Sequence, residues 1–499
     1  IVLSFNVLLF SIKFVILYCN MLFFVFTFIV VFLITYFYLT DNKLKEVWSK
    51  HGIPFYKGYC SLGYAMEYFS GDKPLYLVLD DICKKHPNAP VIATKNFLQP
   101  ALIVSDPDNI QQVLAGDFNT FSHRGVDMNA DVDLLADNIL FMNGIRWRLT
   151  RQKFTPLFTS AKLRNMYYIM NKSAQDFVKL MKSIDLNEND NFKLLSNFCS
   201  AAISASVFGI SSTSVMDSPF QEIARKTFTP TLMLNLKFAL ANLSNKLFNF
   251  FKIRVFAAHQ AFFVNTMKQV LQKRREGNVR THDFADLCLD VQKNGIMRDP
   301  KTGYEIEPTD ELMTAQAFFF FIAGIEPSAT SMYFTLFEIA KNPSVLKKIH
   351  AEIDEVFMRR SNDISHEDVI QMEYLDRVID EALRIHPPIA ALTRKCTQNA
   401  VLTPGYIPVE KECLIQIPTF TIHHDPKYYP DPEKFDPERF TDEAKLKRPH
   451  YTYMPFGEGN RMCLGKFIKS EHRFPHRTTL SMVFHYFKDH PQCCNLKKL

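Results

Sequence analysis

The chain has 499 residues, 47% of them hydrophobic, with 58 Lys and Arg against 52 Asp and Glu. That apolar mass excludes a disordered or collagen-like chain. The net charge of +6 is too small and too dispersed for a nucleic-acid surface, but it suits an anionic membrane or an acidic partner protein. Forty-six Phe against 16 Gly point to a lipophilic interior or a membrane-associated surface.

In chain order, the first element is apolar. Residues 1–40 carry one charge, Lys13, and the run 21–40 matches the roughly 20 residues that cross a bilayer. A cleaved signal peptide would have a shorter apolar core and a small-residue cleavage site, and neither is present. Lys43, Lys45 and Lys50 outweigh Asp41 and Glu46 just after the span, which places the main body on the cytosolic side. Residues 1–20 precede Met21, the natural start, and read as a leader or a non-native extension. No repeat or Gly/Ser linker divides the chain beyond the span, so one domain is expected over 41–467.

The stretch 90–104 is β-rich and predicts a strand pair. Helical periodicity then dominates, over 147–158, 163–182, 220–236, 255–274, 311–342, 344–359 and 373–386. The segment 240–265 is apolar with spaced Lys and Arg. It reads either as a buried helix pair or as a surface that dips into the bilayer. Short β patterns return at 398–419, and a Pro-rich irregular stretch occupies 425–440. The fold class expected is mainly α with small β-sheets (α+β). Ten cysteines show no CxxC pair and no regular spacing, as in a reducing compartment with free thiols.

The most informative stretch is Phe456-Gly457-Glu458-Gly459-Asn460-Arg461-Met462-Cys463-Leu464-Gly465. Two glycines allow a tight turn that approaches a flat object closely. Arg461 puts positive charge near the thiol, and Phe456 is expected to pack over the sulfur. Gly465 is expected to let a following helix lie close. A cysteine held this way has the character of a thiolate metal ligand.

These residues match the FxxGxRxCxG signature, and the chain resembles the cytochrome P450 haem-thiolate monooxygenases. Further motifs follow in the family's order: Trp147-x-x-x-Arg151, Glu381-x-x-Arg384, Pro387-Pro388 with Arg394 after it, and Pro437-Glu438-Arg439-Phe440. The wording of 122–163 resembles the insect microsomal branch that handles xenobiotics. The resemblance implies the P450 fold behind a membrane anchor, with haem b held by Cys463 as the axial, iron-binding thiolate. It implies that Arg461, Arg394 and Arg151, with the Trp147 indole N–H, hold the haem propionates. Glu381, Arg384 and Arg439 would form a buried ion triad that fixes the cysteine loop. Ala323, Gly324, Ile325 and Glu326 would open an oxygen groove in the long central helix.

Two departures stand out. The family's central helix carries Thr where this chain has Pro327. Proline lacks an N–H and pushes away the carbonyl of residue i−4, here Ala323, so the groove stays open but no hydroxyl donates. Glu326 and Ser328, with groove water, are expected to supply protons instead. The alternative is impaired delivery, as in an enzyme whose substrate already carries bonded oxygen. The second departure is the tail, 468–499, whose scattered histidines and Pro475 read as a frameshift or unspliced intron rather than a metal site. With that tail, a haem-deficient pseudoenzyme is the non-catalytic alternative.

The resemblance also implies a small lipophilic substrate in an apolar pocket built from about 118–140, 228–236 and the face Phe318–Ala323, where only one or two of four consecutive Phe can face inward. No nucleotide fingerprint is present, so electrons are expected from NADPH through a membrane-bound NADPH-cytochrome P450 reductase, with cytochrome b5 as a second donor. Arg148, Lys153 and Lys466 are the basic contacts expected for such a partner. The compartment implied is the endoplasmic reticulum membrane, with the catalytic domain on its cytosolic face.

Overall fold

The computed structural model describes residues 2–58, 62–69, 73–183, 190–209, 219–228, 231–243, 245–277, 280–360 and 365–466. The tail 468–499 lies outside them. The structure groups the chain into two compact units, Ile1–Ile103 and Val104–Leu499.

In the first unit a single helix, α1, runs Val2–Lys50, without a break at Met21. Phe23, Phe24, Phe26, Phe28, Val31 and Phe32 are all exposed on it, which only a non-aqueous surrounding would favour. Its last turns behave differently. Trp48 and Asp41 are buried, and Asp41 pairs with Lys95 of the strand β1 (Val91–Asn96). That buried pair, not foreseen from the sequence, ties the end of α1 to β1, which is followed by β2 (Gln99–Val104).

The second unit is helical. Its long helices are α2 (Gly144–Phe154), α3 (Ser160–Ser183), α4 (Asn191–Phe208), α5 (Ala257–Gly277), α6 (Asp310–Lys341), α7 (Pro343–Arg360) and α8 (Glu373–Ile385). Helix α6 is apolar and long enough to cross a membrane, but most of it is buried in the core. Thr309 caps its start by accepting the Leu312 amide, and Asp310 and Glu311 complement its N-terminal dipole. It continues through Pro327 because α4, α5 and α8 pack along it and hold the turn that proline weakens.

Helix α4 packs against α6 more extensively than any other element does. Its sequence carries no amphipathic stripe because nearly every face is covered. Buried Ser204 and Ser206 spend their hydroxyls on the carbonyls of Ser200 and Ala202. The two short strands β3 (Leu392–Lys395) and β4 (Leu414–Ile417) pair antiparallel, with Arg394 opposite Ile415. Alternation sends Leu392 and Arg394 to the buried face. The stretch expected to be irregular, 425–440, is irregular apart from the 3-10 turn Pro437–Phe440.

The segment 240–265 is buried in part and exposed in part. Phe248, Val255 and Phe256 are buried, while Leu247, Phe250 and Phe251 are exposed. Of the four consecutive Phe, Phe318 and Phe321 are fully buried against Phe256, Phe263 and Phe208. Phe320 packs with Phe154, Phe158 and Phe284 and is core as well.

Candidate active site

The loop 454–466 is shaped by backbone. The Gly457 amide donates to the Met454 carbonyl at 3.0 Å, and the Cys463 amide donates to the Phe456 carbonyl at 2.9 Å. Gly457 (φ 68) and Gly459 (φ 74) both take the left-handed conformation that glycine adopts without strain. A Cβ on Gly459 would stand 1.9 Å from the Leu114 carbonyl oxygen, so the chain passes too close there for any other residue. The Phe456 carbonyl thus holds the Cys463 backbone in the loop. Gly465 also has a nearer task than helix packing: a Cβ there would press on the Cys463 sulfur at 3.2 Å. Cys463 itself is exposed at the mouth of this loop, whereas the other free cysteines among the described residues are buried.

Four arginines converge beside it. Arg151, one helical turn beyond Trp147 on α2, donates to the Met462 carbonyl at 2.7 Å. Arg124 donates to the Arg461 carbonyl at 3.0 Å. Arg461 donates to the Met142 carbonyl at 2.8 Å and to Asn143 Oδ1 at 3.0 Å, and its guanidinium lies 4.4 Å from the Trp147 ring centroid. Arg394, from β3, donates among the described residues only to the Thr393 carbonyl next to it. Arg124 was missed by sequence reasoning. It sits in a loop without periodicity, and the carbonyl it binds is 337 residues away.

This cluster is electrostatically incomplete. Burial, with the other arginines beside it, pushes the Arg461 guanidinium down to about 8. Burial likewise brings Arg394 to about 9 and Arg124 to about 10, each aided by a neighbouring arginine. Among the described residues no carboxylate pairs with Arg124, Arg394 or Arg461. Buried Nε atoms of all three, Arg461 Nη1 and the Trp147 indole N–H have no acceptor there either. Cations buried without partners are costly, so the site is built for an anion that brings its own acceptors. Among the described residues no group of three or more His, Cys, Asp or Glu could hold a metal ion, so iron at Cys463 would have to carry its other ligands with it. A flat dicarboxylate macrocycle such as haem b meets both requirements.

The ion triad is buried behind the loop. Glu381 and Arg384, one turn apart on α8 and both fully buried, form two parallel bonds of 2.8 Å. Arg384 also donates to the carbonyls of His423 (2.8 Å) and Pro432 (2.7 Å). Arg439 Nε lies 3.4 Å from Glu381 without a hydrogen bond, and its Nη2 donates to the Asp431 carbonyl. Burial pushes the Glu381 carboxyl up, against the pull of Arg384 and Arg439. None of the three touches 454–463 directly among the bonds they make.

On α6, Ala323 is exposed to open space and Glu326, Pro327 and Ser328 are partly so. Gly324, expected to open the groove, instead faces α4: a Cβ there would meet the Ile203 side chain at 2.9 Å, so glycine is what lets the two helices approach. The Ser331 hydroxyl bonds the Pro327 carbonyl at 2.6 Å. Of the basic residues expected to meet a partner, Arg148 is paired with Asp299 at 2.6 Å.

Desolvation raises the Glu326 carboxyl above its usual 4.5. The folded chain then disfavours the ionised form, so this group's contribution to stability is intact below about pH 4.5 and is lost as pH rises through the raised value. Glu326→Gln is expected to raise the melting temperature near neutral pH and to leave it unchanged below about pH 4. Calorimetry at both pH values checks the sign.

Comparison with known proteins agrees with the geometry. The family model described as cytochrome P450 matches residues 56–471. The chain is 31% identical over 439 residues to cytochrome P450 6B6 of Helicoverpa armigera, covering 86% of this chain and 85% of that one. It is 33% identical over 441 residues to cytochrome P450 6B5 of Papilio glaucus, covering 87% and 91%. It is 33% identical over 377 residues to the probable cytochrome P450 6a13 of Drosophila melanogaster, covering 74% of each. With that match across most of its length and an exposed thiol beside buried arginines that lack counter-anions, the chain belongs to the cytochrome P450 family of haem-thiolate monooxygenases.

Proposed function

We propose that this protein is a membrane-bound monooxygenase that inserts one oxygen atom from O2 into small lipophilic compounds, xenobiotics or endogenous lipids, using electrons from NADPH. The electrons arrive through NADPH-cytochrome P450 reductase, with cytochrome b5 as a second donor. The observation that carries the reading is the cluster of buried arginines without counter-anions beside Cys463.

In this reading Arg124, Arg151, Arg394 and Arg461 hold the two propionates, with the Trp147 N–H as a further donor. Cys463 would supply the thiolate ligand to the iron, and the loop amides and Gly465 keep the sulfur reachable. When bound, the haem supplies oxygen activation, which its thiolate ligand promotes by donating electron density, an effect for which this family is the usual example. The remaining work belongs to the chain. Pro327 cannot donate a backbone bond to Ala323, so that carbonyl is open to a water molecule. Glu326, kept protonated longer by burial, passes a proton through such water, and Ser328 helps to hold the water in place. The aromatic core around Phe318 and Phe321 keeps bulk water out.

Exposed aromatic residues on α1 and the exposed Phe250 and Phe251 support membrane association. The segment 21–40 is the anchor, 41–467 the catalytic domain and 468–499 an atypical tail. The lysines after the anchor support a cytosolic side for the domain, and the microsomal character of the resembling family supports the endoplasmic reticulum as the membrane.

Turnover of a lipophilic probe under labelled O2, with and without reductase, tests the reading. It expects one labelled atom per product and no product without reductase. Label-free product formed from an organic hydroperoxide alone would favour an isomerase instead. Pro327→Thr is expected to leave the product formed per NADPH unchanged within about twofold, because Glu326 already has a route. A gain of about tenfold would sink the Glu326 relay.

A further inference from the structure

His423, at the end of the short helix Thr419–His423, is fully buried and was not singled out from the sequence. It exchanges two contacts with Arg384: its carbonyl accepts from Arg384 Nη1 at 2.8 Å, and its Nδ1 lies 3.2 Å from the Arg384 carbonyl. Its Nε2 lies 2.9 Å from the Met454 amide nitrogen. An amide can only donate, so Nε2 is the acceptor, and the ring's single proton sits on Nδ1 facing Arg384. The ring is clamped by stacking on Tyr453, at 5.4 Å between centroids, and by the edge of Tyr429 at 6.5 Å. Burial, with His424 and Arg384 beside it, pushes the imidazole down to about 3, in keeping with a ring that stays neutral.

Met454 is where the cysteine loop starts. Its carbonyl takes the Gly457 amide, and Phe456 in turn takes the Cys463 amide. The bonds made by Arg384 end at Glu381, His423, Pro432 and Lys434. The Glu381–Arg384 pair therefore reaches this loop through the His423 ring.

We propose that His423 is a positioning residue whose neutral ring, donating at Nδ1 and accepting at Nε2, transmits the geometry of the Glu381–Arg384 pair to the loop presenting Cys463. The effect on the haem rests on the reading of Cys463 as the iron ligand; the effect on the loop does not.

The full chain is compared as parent, His423→Phe and His423→Gln. Phenylalanine keeps a ring against Tyr453 but offers no acceptor, while glutamine can both donate and accept. The first readout is hydrogen–deuterium exchange of the peptide spanning 452–463, without haem. The second is the share of the reduced carbon-monoxide adduct that shows the red-shifted Soret band. In His423→Phe, exchange at 452–463 is expected to rise about tenfold while peptides of α6 stay unchanged. The shifted band should fall by about half or more, with glutamine restoring most of both. A Phe variant with parent-like exchange and band overturns the proposal, and so does a Gln variant as defective as Phe. If Phe does not fold, the Gln comparison decides alone. If the parent lacks the shifted band, the Cys463 reading fails, and exchange still decides the role of His423.

Discussion

Replacing Arg384 with leucine is expected to destabilise the unit Val104–Leu499 by about 3–5 kcal/mol and to abolish haem retention. The size follows from burial. Both members of the Glu381–Arg384 pair are fully buried, and Arg384 also satisfies the carbonyls of His423 and Pro432. Leucine fills much of the space but leaves the buried Glu381 carboxyl with the Asp436 amide in place of its two Arg384 bonds, and takes the Arg384 donors from the His423 and Pro432 carbonyls. Glu381 would answer by taking up a proton, since burial already pushes it in that direction, and that proton recovers only part of the loss. The exposed pair Lys447–Glu443 is the control, because an ion pair in water is worth about 0–1 kcal/mol. Urea unfolding of Arg384→Leu beside Lys447→Ala decides the matter. Equal midpoints would show that the buried pair is no keystone.

Gly459→Ala is expected to be as damaging, by a different route. The left-handed backbone at φ 74 costs a non-glycine residue about 1–2 kcal/mol on its own. The added Cβ would also sit 1.9 Å from the Leu114 oxygen and 2.6 Å from its carbon. Those are backbone atoms, so relief requires moving the loop or the chain at Leu114, at a further cost of about 1–3 kcal/mol or more. Gly295 separates the two contributions: it has φ 73, but a methyl group there would meet nothing within 4 Å. Gly295→Ala should therefore lose only the conformational share and keep the pigment, while Gly459→Ala loses the pigment. Thermal melts and haem content of the two variants, measured together, check this; matched losses would contradict the close approach at Leu114.

What could be read in advance, and what could not, divides along physical lines. The cysteine loop, the Glu381–Arg384 pair and Trp147–Arg151 are local patterns, with partners one turn or a few residues apart, so the family resemblance exposes them as short motifs. Helix α6 announces itself through the helical period of a long apolar run. Helix α4 does not, because a helix buried on nearly all sides loses the alternation that marks one half exposed. Arg124 and His423 gain meaning only from carbonyls and amides that folding brings to them, at Arg461, Arg384 and Met454. Gly324 was legible as special but not for its reason, since Ile203 lies on another helix. The Lys95–Asp41 pair is hidden in the same way, with its members 54 positions apart in the chain.

The central claim is that the Cys463 sulfur is the iron ligand within a site whose arginines await two carboxylates. The reduced carbon-monoxide spectrum of Cys463→Ser, set beside that of the parent, tests it most directly. The parent should give the far-red-shifted Soret band of a thiolate ligand, and the serine variant should lose that band along with turnover. A serine variant whose band and turnover match the parent's would contradict the claim.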